Sequence, residues 1–263
     1  MRVLGIDTAT PAGSVALVQA GEGGRLDVLA EVAGESDQRH AETLLEAVDA
    51  CLDRAGCTLP EVAGLAVAAG PGSFTGLRVG LATAKGLAFA TGSWLVGVPT
   101  LEAYARAFLR ARRDETRVEE RVCVCLDARK GEVYAALFTI ATGSEGERVI
   151  LRHADDAVLS PVDLRDRLLA FLAGGAATLR VVGDGVPRYA DQILPDLQRA
   201  TVVELVASAT LPRGVAVAQI AAETVRRDGV PDGVDLVPLY LRASEAEIKQ
   251  RQREALASRI EKA

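Results

Sequence analysis

The stretch AVAAGPGSFTGLRVGLATAKGLAFA, residues 66–90, decides how this chain is read. Its start is short and apolar and stops at a Gly-Pro-Gly turn, the pattern of a buried strand that ends abruptly. The remainder, Phe74 to Ala90, is rich in small and apolar residues and contains no proline, which predicts a helix. Extending upstream, the strand runs from Val62 to Ala69. Downstream, Trp94 to Val98 is a second apolar strand. Strand, helix and strand in that order make the unit of an α/β fold.

Outward from this unit the pattern continues. Val3 to Ile6 is a short strand ending at Asp7, Ser14 to Val18 a second and Leu26 to Val32 a third, with turn residues between them. Ala41, Leu44, Leu45, Val48, Leu52 and Ala55 recur at helical spacing, with Ser36 or Asp37 available as cap and Gly56 as stop. The first 98 residues therefore read βββαβαβ. The second half repeats the theme less cleanly. Leu101 to Arg112, Pro161 to Leu172 and Gly214 to Arg227 read as helices. Val122 to Leu126 and Glu132 to Ile140 pair around Arg129-Lys130-Gly131, Thr142 to Arg148 is a turn, and Leu179 to Val182 is a strand. A charged helix or tail follows Arg242, with a capping pattern at Ser244 and Glu247.

Composition narrows the function. The 263 residues carry 30 basic and 36 acidic side chains, a net charge of -6, which argues against coating nucleic acid by bulk electrostatics. There are two His and four Cys, and neither Cys51/Cys57 nor Cys123/Cys125 has zinc-ligand spacing, so buried free thiols are expected. The N-terminus has no long apolar leader, and the apolar run from Val79 to Leu101 is broken by Lys85, glycines and Pro99. A cytoplasmic protein is expected.

The loop Gly70 to Gly76 lies where a strand hands over to a helix, so its N–H groups suit an anion. It fails both familiar tests. No Lys follows Gly76 as a P-loop needs. The spacing is G-x-G-x-x-x-G, and no Asp or Glu occurs from Val62 to Leu101, where a dinucleotide site wants an acid. A structural turn and a degenerate phosphate loop, built from Asp7, Thr8, Gly70, Gly72, Ser73 and Thr75, both remain open. Gly76, Gly80, Ala84 and Ala88 form a narrow strip that suits internal packing or a subunit interface. Arg110, Arg112 and Arg113 offer a basic helix end, and His40 a lone imidazole without assembled partners.

Taken in order, Leu4-Gly5-Ile6-Asp7-Thr8, Arg39-His40-Ala41-Glu42-x-Leu44-Leu45, Gly70 to Arg78, Asp127-Ala128-Arg129 with Glu132-Val133-Tyr134, Gly183-Asp184-Gly185 and Pro238 to Arg242 closely resemble the TsaB (YeaZ) family. The likeness runs from Met1 to about Glu247. Ala41 and Glu46 depart from it, since the family usually has Ser and Pro there.

The resemblance implies an actin/Hsp70-like (ASKHA) α/β fold with two related βββαβα-type domains, 1–100 and 101–243, and a charged tail, 244–263. It implies a non-catalytic scaffold in tRNA N6-threonylcarbamoyladenosine formation at adenosine 37. The partners would be a TsaD-like transferase and a TsaE-like ATPase, with tRNA as substrate of the complex and a homodimer in isolation. TsaD-like proteins bind metal through H-x-x-x-H; Thr100 and Tyr104 stand at the matching positions, so no metal is expected. No essential cofactor is expected, though ATP binding stays possible. Leu45, Val48, Leu52, Gly76, Gly80 and Ala84 are the expected partner surface, and a bulky charge at Gly80 should then abolish pairing yet leave the monomer folded. The competing class is a phosphotransferase or ATPase of the same fold, using Asp7 and the Gly70 to Gly76 loop.

Overall fold

The computed structural model describes residues 1–21, 24–34, 40–112, 119–144, 147–175, 178–207, 211–231, 233 and 235–242, with backbone alone at 40–42. The expected caps Ser36 and Asp37, the His40 side chain, Arg113 and the tail 244–263 lie outside the described residues or side chains.

The first sheet contains β1 (Arg2–Asp7), β2 (Ser14–Ala20) and β3 (Leu26–Ala33), then α1 (His40–Ala55), a 3₁₀ turn at Leu59–Glu61, β4 (Gly64–Gly70), α2 (Phe74–Thr91) and β5 (Trp94–Pro99). Its strand order is β3-β2-β1-β4-β5. β1 and β2 pair antiparallel in register from Arg2 opposite Gln19 to Asp7 opposite Ser14. β1 pairs parallel with β4, and β4 with β5.

The second sheet follows α3 (Thr100–Ala111). It contains β6 (Glu120–Arg129), β7 (Glu132–Thr142), β8 (Arg148–Arg152) and β9 (Ala157–Leu159), then α4 (Pro161–Leu172), β10 (Thr178–Val182), α5 (Gly185–Arg188), α6 (Ala190–Ala200) and β11 (Val202–Val206); α7 (Gly214–Asp228) closes the series. The order β11-β10-β6-β7-β8 reproduces that of the first sheet, with β9 also on β7. The two halves are thus one motif used twice: three antiparallel strands, a helix, a parallel strand, helix and parallel strand. The turn at Arg129-Lys130-Gly131, all at positive φ, makes the expected hairpin.

Each sheet has a helix layer on its outer face. Leu44, Val48, Cys51 and Leu52 of α1 and Leu81 and Ala84 of α2 bury against Leu4, Ile6, Leu65 and Val67. α4 and α6 do the same for the second sheet through Leu164, Leu168, Ile193 and Leu197. Between the sheets lie α3 and α7, and one core joins Val3, Ala16 and Val98 to Val122, Phe138 and Ile140 through Tyr104, Phe108 and Val217. The approach is very close at β1: a Cβ on Gly5 would sit 2.1 Å from the Gly214 carbonyl oxygen, so only glycine admits α7 there.

A cut at residue 100 therefore divides a single core. α7 belongs by sequence to 101–243 yet packs on β1 and β2, and α3 contacts both sheets. Five elements, β8, β9, α5, α6 and β11, go unread in the sequence. β8 and β11 are exposed edge strands without alternation, and α6 carries Pro195 inside it and buries only Ile193 and Leu197.

Candidate functional site

The two loops singled out in the sequence meet, and they bind one another. Ser73 caps α2 by accepting from Gly76 N at 3.3 Å, and its own N–H donates to the Ala9 carbonyl at 2.7 Å. The Thr8 hydroxyl donates to the Gly76 carbonyl at 2.7 Å. A Cβ on Gly72 would lie 2.6 Å from Ala9 O, one on Gly76 2.0 Å from Thr8 O, and one on Gly80 2.2 Å from Thr8 Oγ1. The three glycines form a groove in which residues 8–9 lie. Gly70 N is also committed, donating to Thr100 Oγ1 at 3.1 Å. A phosphate cradle needs such donors and such space open; here the N–H groups of Gly70, Ser73 and Gly76 are taken within the same chain, and residues 8–9 fill the space over the glycines. Thr75 is exposed on the first turn of α2.

Asp7 is buried at the end of β1 with both oxygens engaged. Oδ1 accepts from Ala9 N at 2.8 Å, and Oδ2 pairs with Arg213 Nε at 2.5 Å. Arg213 is equally buried and also donates to the Leu211 and Ala12 carbonyls and to Thr10 Oγ1. Burial works against its charge, but the Asp7 carboxylate, through charge and hydrogen bond, together with Tyr104 and Glu31 outweighs this and raises its pKa. Its guanidinium lies 4.6 Å from the centre of the Tyr104 ring, and the Tyr104 hydroxyl meets Thr10 at 3.2 Å. Burial pushes that phenol up to about 12, so it stays a neutral hydrogen-bonding group. Ser14 Oγ completes the junction by accepting from both Arg213 N and Gly214 N at 2.9 Å, satisfying orphan donors at the start of α7. Thr100 and Tyr104, at the positions compared with metal-binding histidines, thus serve the loop backbone and the Arg213 cation. Arg213 itself carried no signal in the sequence, since only folding brings residue 213 beside Asp7.

The expected partner surface needs correction. Gly76, Gly80 and Ala84 are buried within the chain, as are Val48 and Leu52; Leu45, 57% exposed, faces outward. The sequence shows the strip of small residues but not which way it points, and Thr8 draws it inward. A charge at Gly80 would therefore disrupt the fold itself. The exposed face of α2 is Thr75, Arg78, Ala82, Gly86, Phe89 and Ala90. Phe89 is 92% exposed, and a Cβ on Gly86 would meet no atom of the described residues within 4 Å. Beside Phe89 a cavity of about 550 Å³ opens between the end of α2 and Val230, Pro231 and Gly233, with Trp94 and Lys85 in its wall.

A C-terminal strap borders this face; the sequence reading singled out its Pro238 to Arg242 segment as a motif but not its packing. Leu236 fills the space over Gly97, Leu239 N donates to Ala69 O at 2.7 Å, and Tyr240 stacks on Phe74 at 5.0 Å. Arg78 lies 3.8 Å over Phe74 and donates to the Tyr240 hydroxyl at 2.9 Å. Arg242 reaches the Ala128 carbonyl and Glu132, so the strap ties the first sheet's loop to the second sheet's hairpin. The basic helix end is paired: Arg110 with Glu31 and Arg112 with Glu120. All four cysteines are buried and free; burial pushes the Cys123 thiol up to about 12 and Cys125 well above its usual value.

Two matched βββαβα repeats around shared central helices define the actin/Hsp70-like (ASKHA) class. A family model described as TsaD, tRNA N6-adenosine threonylcarbamoyltransferase, matches residues 28–250. The tRNA threonylcarbamoyladenosine biosynthesis protein TsaB of Haemophilus influenzae is 37% identical over 134 residues, covering 51% of this chain and 52% of that protein. TsaB of Escherichia coli is 37% identical over 155 residues, 57% of this chain and 62% of that one. The chain thus spans only about half to three-fifths of the length of these curated relatives. The solved structure of YeaZ from Pseudomonas aeruginosa superposes with a TM-score of 0.70 at 29% identity, over 91% of this chain and 99% of that one. The chain belongs to the TsaB/YeaZ family.

Proposed function

We propose that this protein is a non-catalytic scaffold in tRNA N6-threonylcarbamoyladenosine formation at adenosine 37, acting in the cytoplasm. It holds a TsaD-like transferase in its working arrangement, together with a TsaE-like ATPase, and pairs with itself when alone. The TsaB relatives' names support the pathway. The observation that carries the non-catalytic reading is the closed junction. An aspartate whose two oxygens are held by Arg213 and Ala9 is poorly placed to bind Mg²⁺ or to accept a proton. Loops that hydrogen-bond each other leave little for a phosphate to bind. ATP is not required by this chain on this reading.

The pairing surface is the outer face of α1 and α2: Leu45, Ala82, Gly86 and Phe89 in place of the buried strip. Glycine in an exposed helix costs about 1 kcal/mol relative to alanine. Among the described residues Gly86 has no neighbour that demands it, so a closely approaching second helix accounts for it. The cavity beside Phe89 is a socket for a partner's apolar side chain.

Modification of tRNA by the reconstituted pathway, with and without this chain, tests the role; normal modification in its absence would end the proposal. Calorimetry with ATP and Mg²⁺, and turnover assays on the isolated chain, address the phosphotransferase alternative. Saturable binding with turnover would establish that alternative instead. Phe89→Asp should leave circular dichroism unchanged, remove the self-paired species in light scattering and lower reconstituted activity at least tenfold.

A further inference from the structure

The second sheet contains a break that the scaffold role does not use. β7 pairs with β8 from Phe138 to Thr142 and with β9 from Val133 to Ala135. Between those partners His153 N still donates to the Leu137 carbonyl at 2.9 Å, and residues 154–156 leave the sheet. The gap opens a cavity of about 270 Å³ against α4, whose apolar wall includes Leu159, Leu164 and Phe171. Three polar side chains stand around it: His153, Asp155 and Arg167.

The charges at this cavity are unusual. Neither Arg167 nor Asp155 forms a hydrogen bond or ion pair with any described residue. They line the same cavity with opposite charge, yet remain beyond the 4.0 Å that would let them neutralise each other. Elsewhere in this half arginines are paired, as Arg165 is with Asp166, Arg180 with Glu120 and Arg148 with Glu120. The imidazole of His153 is held in place. Nε2 meets Thr139 Oγ1 at 2.5 Å, and the ring edge rests on Phe171 with centroids 4.8 Å apart. Arg121 fixes Thr139 in turn, donating at 3.0 Å. This leaves Nδ1 without a partner among the described residues.

We propose that this break binds a small zwitterion, an α-amino acid with an apolar side chain. A cation and an anion that line one apolar cavity without pairing match a ligand carrying a carboxylate, an ammonium and a hydrocarbon body. The carboxylate goes to Arg167, whose guanidinium takes carboxylates in a two-pronged geometry. The ammonium goes to Asp155, and the side chain enters among Leu159, Leu164 and Phe171. A simple fatty acid would leave Asp155 facing an apolar group, and an amine would do the same to Arg167. Cavity size agrees, since ligand sites begin near 300 Å³ for larger molecules. The site is separate from the proposed pairing surface on α1 and α2.

Isothermal titration of the full chain with L-valine, with isovalerate and with valine methyl ester tests this. Isovalerate lacks the ammonium and the ester lacks the carboxylate. L-valine should bind saturably at millimolar concentration or below, and both analogues should bind at least tenfold more weakly. Arg167→Gln and Asp155→Asn lie on the surface and should each weaken L-valine about tenfold or more, with unchanged circular dichroism. The proposal is overturned by any of three results: no saturable binding of L-valine or of other apolar amino acids, isovalerate binding as tightly as valine, or affinity unchanged in both variants. None of these results bears on the scaffold role, which is read from tRNA modification.

Discussion

Two glycines on one helix have opposite meanings. Gly80 and Gly86 both look like small residues on α2, six positions apart. Gly80 has Thr8 Oγ1 where its Cβ would go, and Gly86 has open space. Gly80→Ala should destabilise the protein by about 1–3 kcal/mol through overpacking. Gly86→Ala should stabilise the isolated chain by about 0.5–1 kcal/mol by improving helix propensity, yet weaken pairing if a neighbouring helix uses that gap. Urea midpoints and light scattering read the two effects separately. A stability change of the same sign at the two sites would contradict this assignment of faces. The comparison also shows what sequence carries and what it does not. Spacing of four put Gly80 on a strip with Gly76, Ala84 and Ala88, and that was legible; Gly86 stands off that strip. Direction was not, because Thr8 arrives from a loop almost seventy residues earlier in the chain.

Elements were legible where burial left a periodic trace. β1, β4 and β5 are apolar runs, and α1 shows its stripe. α6 and β8 bury too little of themselves to leave one. Local capping can be tested at this scale. The 3₁₀ turn Leu59–Glu61 is fastened by Glu61, which accepts from Thr58 N at 2.8 Å and from the Thr58 hydroxyl at 2.9 Å and pairs with Arg2 of β1 at 2.6 Å. These hydrogen bonds, the backbone one first, lower its pKa from 4.5 to about 2. A carboxyl whose folded value is depressed contributes stability that is full above the unfolded value and is lost as pH falls toward the folded one. The wild type should therefore lose melting temperature more steeply than Glu61→Gln between pH 5 and pH 2, with parallel curves above. Identical slopes through that window would show that the turn does not rely on the charge. The site lies in solvent, so salt should shrink the difference.

At the scale of the whole molecule the junction does more than close a loop. Asp7 and Arg213 are 206 residues apart, and their pairing brings α7 against β1. With the central core shared by both sheets, the two halves have little reason to unfold apart. Denaturation should show one transition, coincident by fluorescence of Trp94 in the first half and by far-ultraviolet circular dichroism. Arg213→Met removes one partner and leaves a buried carboxylate, which should cost about 3–5 kcal/mol. That loss should move the single transition to lower urea rather than split it. Asp7→Asn combined with Arg213→Met removes the charge and its partner together, and should recover a substantial part of the loss, because most of the penalty is the stranded ion and not the missing bond. Two well-separated transitions in the wild type would mean that the sheets are independent domains after all. A double variant no better than Arg213→Met would instead mean that the arginine's contacts to Leu211, Ala12 and Thr10 matter more than its charge pair, and that the loop network, rather than the ion pair, fastens the two repeats.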